Sequence, residues 1–264
     1  LWLPGQGALL FTDPPANIVR RWSRGKGVSV FLSPSGASGF DPELIREPGA
    51  NGLALDRSGG LLIANSGGRT LDRVDLKTGR RATLIDRYRG KRLNSPNDVV
   101  VKSDGSVWFT DPPFGLYSFY EGAKAEPELP HTNVYRIDGA TGGVSLAADD
   151  IDHPNGLAFS PDESILYVIE SRSEPRNILA YDVAPDGETL RNRRVFVACR
   201  PRETPDGFRV DTDGNLWCGW GMGPEHDGVR VERGDRAAMG TTTGRDRPRT
   251  GCRAGRVSRR DRRR

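Results

Sequence analysis

Four segments of this chain repeat one pattern in one register: NGLALDRSGGLLIANSGG from Asn51, PNDVVVKSDGSVWFTDPP around Asn97, PNGLAFSPDESILYVIES around Asn155 and PDGFRVDTDGNLWCGWG around Asp206. In each, an Asn or Asp leads into a short run of alternating apolar residues. A polar turn built on Asp, Ser or Gly follows, and then a second apolar run. That is one β-hairpin written four times. The leading residues stand 46, 58 and 51 positions apart, the period of a four-stranded propeller blade. A weaker fifth copy, LWLPGQGALLFTDPP, opens the chain. The repeat predicts an all-β propeller over residues 1–231, and the 33 Gly and 19 Pro of the 264 residues supply turns for many short strands.

The innermost strand of every blade lines a central channel, so a residue fixed at its start faces the axis in each blade. Asn51, Asn97, Asn155 and Asp206 are therefore expected to converge. A ring of carboxamide and carboxylate oxygens is a hard-ligand site suited to calcium, magnesium, manganese or zinc. The alternative is that Asn and Asp only shape the turn into each strand.

The runs RLNSPNDVVVKSDGSVWFTDPPFGL, HPNGLAFSPDESILYVIES and TPDGFRVDTDGNLWCGWG resemble the gluconolactonase and regucalcin (senescence marker protein) family. The resemblance implies a six-bladed β-propeller that hydrolyses a sugar lactone with one divalent metal, calcium or zinc before magnesium or manganese. It implies Asn155 and Asp206 as metal ligands, Asp206 as general base, and Asn97 as a ligand or substrate contact. Asn51 and Arg92, the latter five residues before Asn97, are further candidate substrate contacts, though a solvated loop charge is the plainer reading of Arg92. Hydrolysis of an organophosphate on the same metal, and a metal-binding propeller without turnover, are the rival functions.

Two departures from the family pattern matter. The family's remaining ligand is a Glu in a Glu-Gly-Pro motif, and aligning LWLPGQGALLF with the other repeats puts that position upstream of Leu1. The chain is thus expected to be a fragment or a trimmed product, with a propeller incomplete at both ends. At the other end, residues 232–264 hold 12 Arg and no Lys against 4 acidic residues, with no strand pattern. Residues 1–231 keep 27 basic and 31 acidic residues, so the basic balance of the chain belongs to this tail. A slipped reading frame is the favoured explanation over an arm for nucleic acid, which is not expected as a partner.

Composition excludes other chemistries. No GxSxG elbow, P-loop or GxGxxG follows a strand, and the three His (His131, His153, His226) lack zinc-hydrolase spacing. His153, just before Pro154 and Asn155, is expected to be structural before catalytic. Asp111 repeats the Asp13 of the first copy and reads as a turn residue. Cys199, Cys218 and Cys252 give neither a zinc ribbon nor a disulfide framework, which leans towards the cytoplasm. No apolar run reaches the length of a membrane span, and mean hydropathy is −0.58. Loops are expected at Ser33–Pro48 and in an insertion, Phe114–His131. The insertion's Tyr117, Phe119 and Tyr120 either fold over the channel mouth as a lid or pack the insertion onto the propeller face.

Overall fold

The repeated hairpins grow outward into sheets. The computed structural model of the protein describes residues 1–36, 44–201, 203–221 and 228–232. Four sheets are four-stranded antiparallel meanders in chain order. The first blade runs Trp2–Leu3, Ala8–Asp13, Ile18–Ser23 and Gly27–Leu32. The second runs Leu53–Leu55, Leu61–Asn65, Thr70–Val74 and Arg81–Ile85. The third runs Val99–Val101, Val107–Asp111, Asn133–Ile137 and Val144–Ala148, and the fourth Pro154–Phe159, Ile165–Glu170, Asn177–Val183 and Leu190–Ala198. A fifth sheet shows Thr204–Val210, Leu216–Gly221 and Gly228–Glu232. A two-stranded ribbon, Arg87–Tyr88 with Lys91–Arg92, joins the second blade to the third. Helix among the described residues is limited to the 3₁₀ turn Pro4–Gln6 and one turn of α-helix, Phe114–Tyr117. The all-β propeller is thus as expected. The sixth blade, Cys252 and residues 233–264 of the basic tail lie outside the described residues.

The polar turns explain why the hairpins close where they do. Four turns share one backbone bond, from the fourth residue's N–H to the first residue's carbonyl: Gly59 to Asp56, Gly105 to Lys102, Glu163 to Ser160 and Gly214 to Asp211. The fourth residue is left-handed in all four, at φ 81°, 89°, 57° and 82°. Glycine takes this conformation without strain, and Glu163 does not. The Glu163 carboxylate is compensated across blades, accepting the Ser103 N–H at 2.7 Å and the Ser103 hydroxyl at 2.6 Å. The sequence departure at this turn therefore ties the third blade to the fourth.

Second strands are the second apolar run of each repeat. Leu61–Asn65, Val107–Asp111 and Ile165–Glu170 are buried at every position. A blade presses on a neighbour with each face, so a second strand has no solvent side and reads as a continuous apolar run. The core accordingly consists of layers between blades. Leu10 and Val19 pack on Leu61 and Ile63, Leu62 and Ala64 on Phe109 and Tyr135, Trp108 and Val134 on Leu166 and Val168, and Tyr167 and Ile169 on Cys218 and Trp220. On the first blade, the face opposite this core aligns Trp2, Leu9, Trp22 and Val28 across the sheet, all exposed. Both Cys199 and Cys218 are buried.

Asp111 ends the second strand of the third blade and is fully buried. Its Oδ2 accepts the Asn94 N–H at 2.9 Å, which fixes the segment leading to Asn97. Its partner in the repeat, Asp13, instead meets Arg20 Nε at 2.6 Å. Burial pushes the Asp111 carboxyl up to about 7, against the pull of the Asn94 and Ser95 N–H groups. A raised carboxyl contributes stability that is complete below its unfolded value of 3.8 and is lost as pH rises through about 7. Melting temperature should therefore fall between pH 5 and pH 8 on a gradient that Asp111→Asn flattens; an unchanged gradient in the variant would place the titrating group elsewhere.

Candidate functional site at the channel

The leading residues are set by the hairpins they open. Asn51 donates its N–H to the Ala64 carbonyl and Asn97 donates to Thr110, both at 2.9 Å, so each heads an inner strand already paired to its neighbour. Inner strands of adjacent blades then touch. The Gly52 N–H reaches the Asn97 carbonyl at 2.8 Å. A Cβ on Gly52 would stand 2.6 Å from Asp98 Cα, and one on Gly156 would stand 2.6 Å from the Asp206 carbonyl oxygen. The Gly after Asn51 and after Asn155 serves this close approach, rather than a turn.

Asn51, Asn97, Asn155 and Asp206 consequently line one cavity of about 400 Å³ on the propeller axis. Asn97 is buried, Asn51 and Asn155 are half-buried, and Asp206 opens onto the cavity. Although reachable by water, Asp206 is closely walled by protein, and this enclosure pushes its carboxyl up. Hydrogen bonds from the Asn155 side chain and the Gly207 N–H pull it back, while the charges of Asp98 and Glu47 add to the upward push.

Two further cavity residues were missed in the sequence. Asp98 is 5% exposed and forms a salt bridge at 3.2 Å with Arg209, whose Nη1 also donates to the Phe208 carbonyl at 2.6 Å. Arg209 Nη2 reaches the Leu53 carbonyl at 3.5 Å, so the guanidinium spans from the fifth blade to the second and third. A signal existed for both. Asp98 stands where the other repeats have Gly52, Gly156 and Gly207, and Arg209 stands where they have Ala54, Val100 and Ala158.

Above the cavity sit two carboxylates from loops. Glu121, in the insertion, is pushed up to about 7 by burial and by the charges of Glu47 and Asp206. Its Oε2 is buried with no hydrogen-bond partner among the described residues. The insertion is anchored on both sides. Arg46 and Glu47 donate backbone N–H groups to the carbonyls of Phe119 and Tyr120 at 3.0 and 2.7 Å, and the Tyr120 hydroxyl donates to Glu47 at 2.7 Å. On the other side the Tyr117 hydroxyl meets His153 Nε2, and His153 Nδ1 meets Asp152 at 2.5 Å. Tyr117 and Tyr120 thus tie the insertion to His153 on one side and to Glu47 on the other, while their rings, like that of Phe119, stay exposed. His153 contacts this insertion.

Arg92 does not join the quartet. The two-stranded ribbon carries it into a separate cavity of about 720 Å³, which it lines with Arg69, Arg81 and Asp72.

A divalent ion fits the residues at the channel. Around Asp206 the neighbouring charges of Asp98 and Glu47 are negative, Arg209 is bonded to Asp98, and the orphaned Glu121 oxygen lacks a donor. No three His, Cys, Asp or Glu among the described residues cluster as a metal site by themselves. The donor set is one carboxylate with amide oxygens, suited to an oxygen-seeking ion.

Over residues 1–243 the chain matches the family model described as SMP-30/Gluconolactonase/LRE-like region. A gluconolactonase of Zymomonas mobilis is 40% identical over 224 residues, 82% of this chain and 62% of the relative. The solved structure of a gluconolactonase from Xanthomonas campestris has a TM-score of 0.76 at 39% identity, covering 89% of this chain and 71% of that one. A regucalcin from Agrobacterium tumefaciens, described as a calcium-binding protein, shares the fold at TM-score 0.58 and 19% identity, over 82% and 64% of the two chains. The chain spans less than two thirds of the length of the Zymomonas relative. No helix among the described residues is long and apolar enough to cross a membrane.

Proposed function

The chain belongs to the SMP-30/gluconolactonase/LRE-like family, and from that premise we propose that its channel site opens a sugar lactone by hydrolysis, with Asn155 and Asp206 holding a divalent ion. The observation that carries this reading is the convergence of Asn155 and Asp206, with Asn51, Asn97 and Asp98, on the wall of one cavity, with the Glu47 charge acting on Asp206. Calcium is the favoured ion, because the cavity offers amide and carboxylate oxygens and is lined by neither His nor Cys among the described residues. When bound, the ion supplies a positive centre that polarises the lactone carbonyl.

The chain's own residues do the rest. Asp206 takes a proton from the attacking water. Water's oxygen bonds to the carbonyl carbon, the bond from that carbon to the ring oxygen breaks, the proton held by Asp206 passes to the leaving oxygen, and the product is an open hydroxy acid. Asn97, buried at the head of its strand, presents its amide to the substrate from a fixed position, and Asn51 does so from the neighbouring blade. The anchored insertion limits water at the mouth.

A chelator titration with gluconolactone and a phosphotriester as substrates tests the reading. Lactone opening should vanish on chelation and return with calcium, and calcium should raise the melting temperature by mass action. Binding should also release protons, since an ion beside Glu121 and Asp206 drives both carboxyls towards ionisation. Turnover that survives complete chelation would overturn the metal assignment. A phosphotriester cleaved faster than the lactone would move the activity to the organophosphate class, and a calcium shift with neither substrate turned over would make this a binding propeller.

A further inference from the structure

The second cavity holds an unanswered positive charge. It opens beside the channel, between the loop that follows Leu61–Asn65, the segment at Ser33–Gly36, and Ala123 and Ala125 of the insertion. Of its three guanidiniums, Arg81 is spoken for: it bonds Asp72 at 2.5 and 2.9 Å and the Ser35 carbonyl at 2.7 Å. Asp72 is equally satisfied, accepting also from Asn65 at 3.1 Å and Thr83 at 3.0 Å. Their charges cancel.

Arg69 and Arg92 are different. Arg69 is 8% exposed and donates Nε to the Leu93 carbonyl at 2.7 Å. Its Nη2 is buried with no hydrogen-bond partner among the described residues, and the nearest carboxylate, Glu128, stands 3.9 Å away. Burial and then the repulsion of Arg92 act against its charge, and the carboxylates of Glu128 and Asp111 offset them only in part. The Arg92 guanidinium makes no ion pair within 4.0 Å among the described residues, and Glu128 accepts only its backbone N–H, at 2.8 Å. A buried guanidinium nitrogen without an acceptor costs stability unless something supplies one. Two converging arginines in a concave site of about 720 Å³ have the fork geometry that recognises planar or tetrahedral oxyanions.

We propose that this cavity binds a small organic oxyanion, a carboxylate or phosphate on a polyhydroxylated body, with the oxyanion held by Arg69 and Arg92 and the Thr70 hydroxyl, which accepts from Asn65 and keeps its own proton to donate, meeting the body. The site is separate from the channel quartet and accounts for Arg92, which the channel does not use.

Calorimetric titration of the whole chain at low ionic strength, with inorganic phosphate, gluconate and 6-phosphogluconate as probes, tests this. At least one probe should bind at a ratio near one to one and weaken as salt is added. Arg92→Gln and Arg69→Lys should each weaken it by about tenfold or more, since each removes a fork, while Asp206→Asn should leave it unchanged. Arg92 is partly exposed, so its variant tests the site even if Arg69→Lys disturbs folding. Phosphate binding without gluconate binding assigns a phosphate ester, and the reverse assigns a carboxylate. Absence of binding by all three probes, affinity within twofold of wild type in Arg92→Gln, or loss of binding in Asp206→Asn each overturns the proposal; the last would put the anion in the channel.

Discussion

Asp206→Asn should lower lactone turnover by a factor on the order of 10² to 10⁴, the span typical for loss of a general base, and should at the same time make the metal-free protein more stable at pH 8. The two effects have one cause. The Asp206 carboxyl is pushed up by enclosure and by the charges of Asp98 and Glu47, and only the Asn155 side chain and the Gly207 N–H oppose this. A carboxyl raised in the fold favours the folded state at low pH and loses that contribution as pH rises through its folded pKa. An amide at the same place carries no charge to lose. It still offers Asn155 an oxygen, so the inner strands keep their contact. Activity bought with local destabilisation is a common compromise at catalytic sites. Steady-state kinetics with gluconolactone and melting curves with and without calcium measure both arms. Unchanged turnover removes Asp206 as the base, and a lower metal-free melting temperature removes the electrostatic argument.

How far this site could be read from the sequence follows from what repeats and what does not. The register of Asn51, Asn97, Asn155 and Asp206 recurs with every hairpin, and the structure places all four on one cavity. The turn chemistry was equally legible, because a left-handed fourth position asks for Gly59, Gly105 and Gly214 by name. The second apolar run of each repeat was legible too: LLIAN and ILYVIE are buried throughout because they serve two interfaces at once. Asp98 and Arg209 could have been found, since each breaks the repeat at its own position. Glu47 and Glu121 could not, because their approach to Asp206 is made by loops closing through backbone bonds such as Glu47 N–H to Tyr120. Arg92 shows the opposite error. Five residues from Asn97 along the chain, it is turned by the short ribbon into a different cavity.

The contact between inner strands sets the other large expected effect. Gly156 is buried against the fifth blade, where a Cβ would meet the Asp206 carbonyl oxygen at 2.6 Å, Gly207 Cα at 3.1 Å and Phe208 Cδ1 at 3.2 Å. Two of these atoms are backbone, so no rotamer change makes room. Gly156→Ala must therefore part the fourth and fifth blades at the point where Asn155 and Asp206 meet. Overpacking of this kind costs about 1–3 kcal/mol. The functional loss should be greater in proportion, because displacing a positioned group by roughly 1 Å costs about 10²-fold in rate. Gly5→Ala is the control, since nothing lies within 4 Å of a Cβ built there. The expected result is a lowered melting temperature, weakened calcium binding and lost turnover in Gly156→Ala, with all three retained in Gly5→Ala. A fully active Gly156→Ala protein would mean that the inner strands can move apart without disturbing the pair. The glycines after Asn51 and Asn155 would then have to be explained by the turn chemistry that the observed contacts argue against.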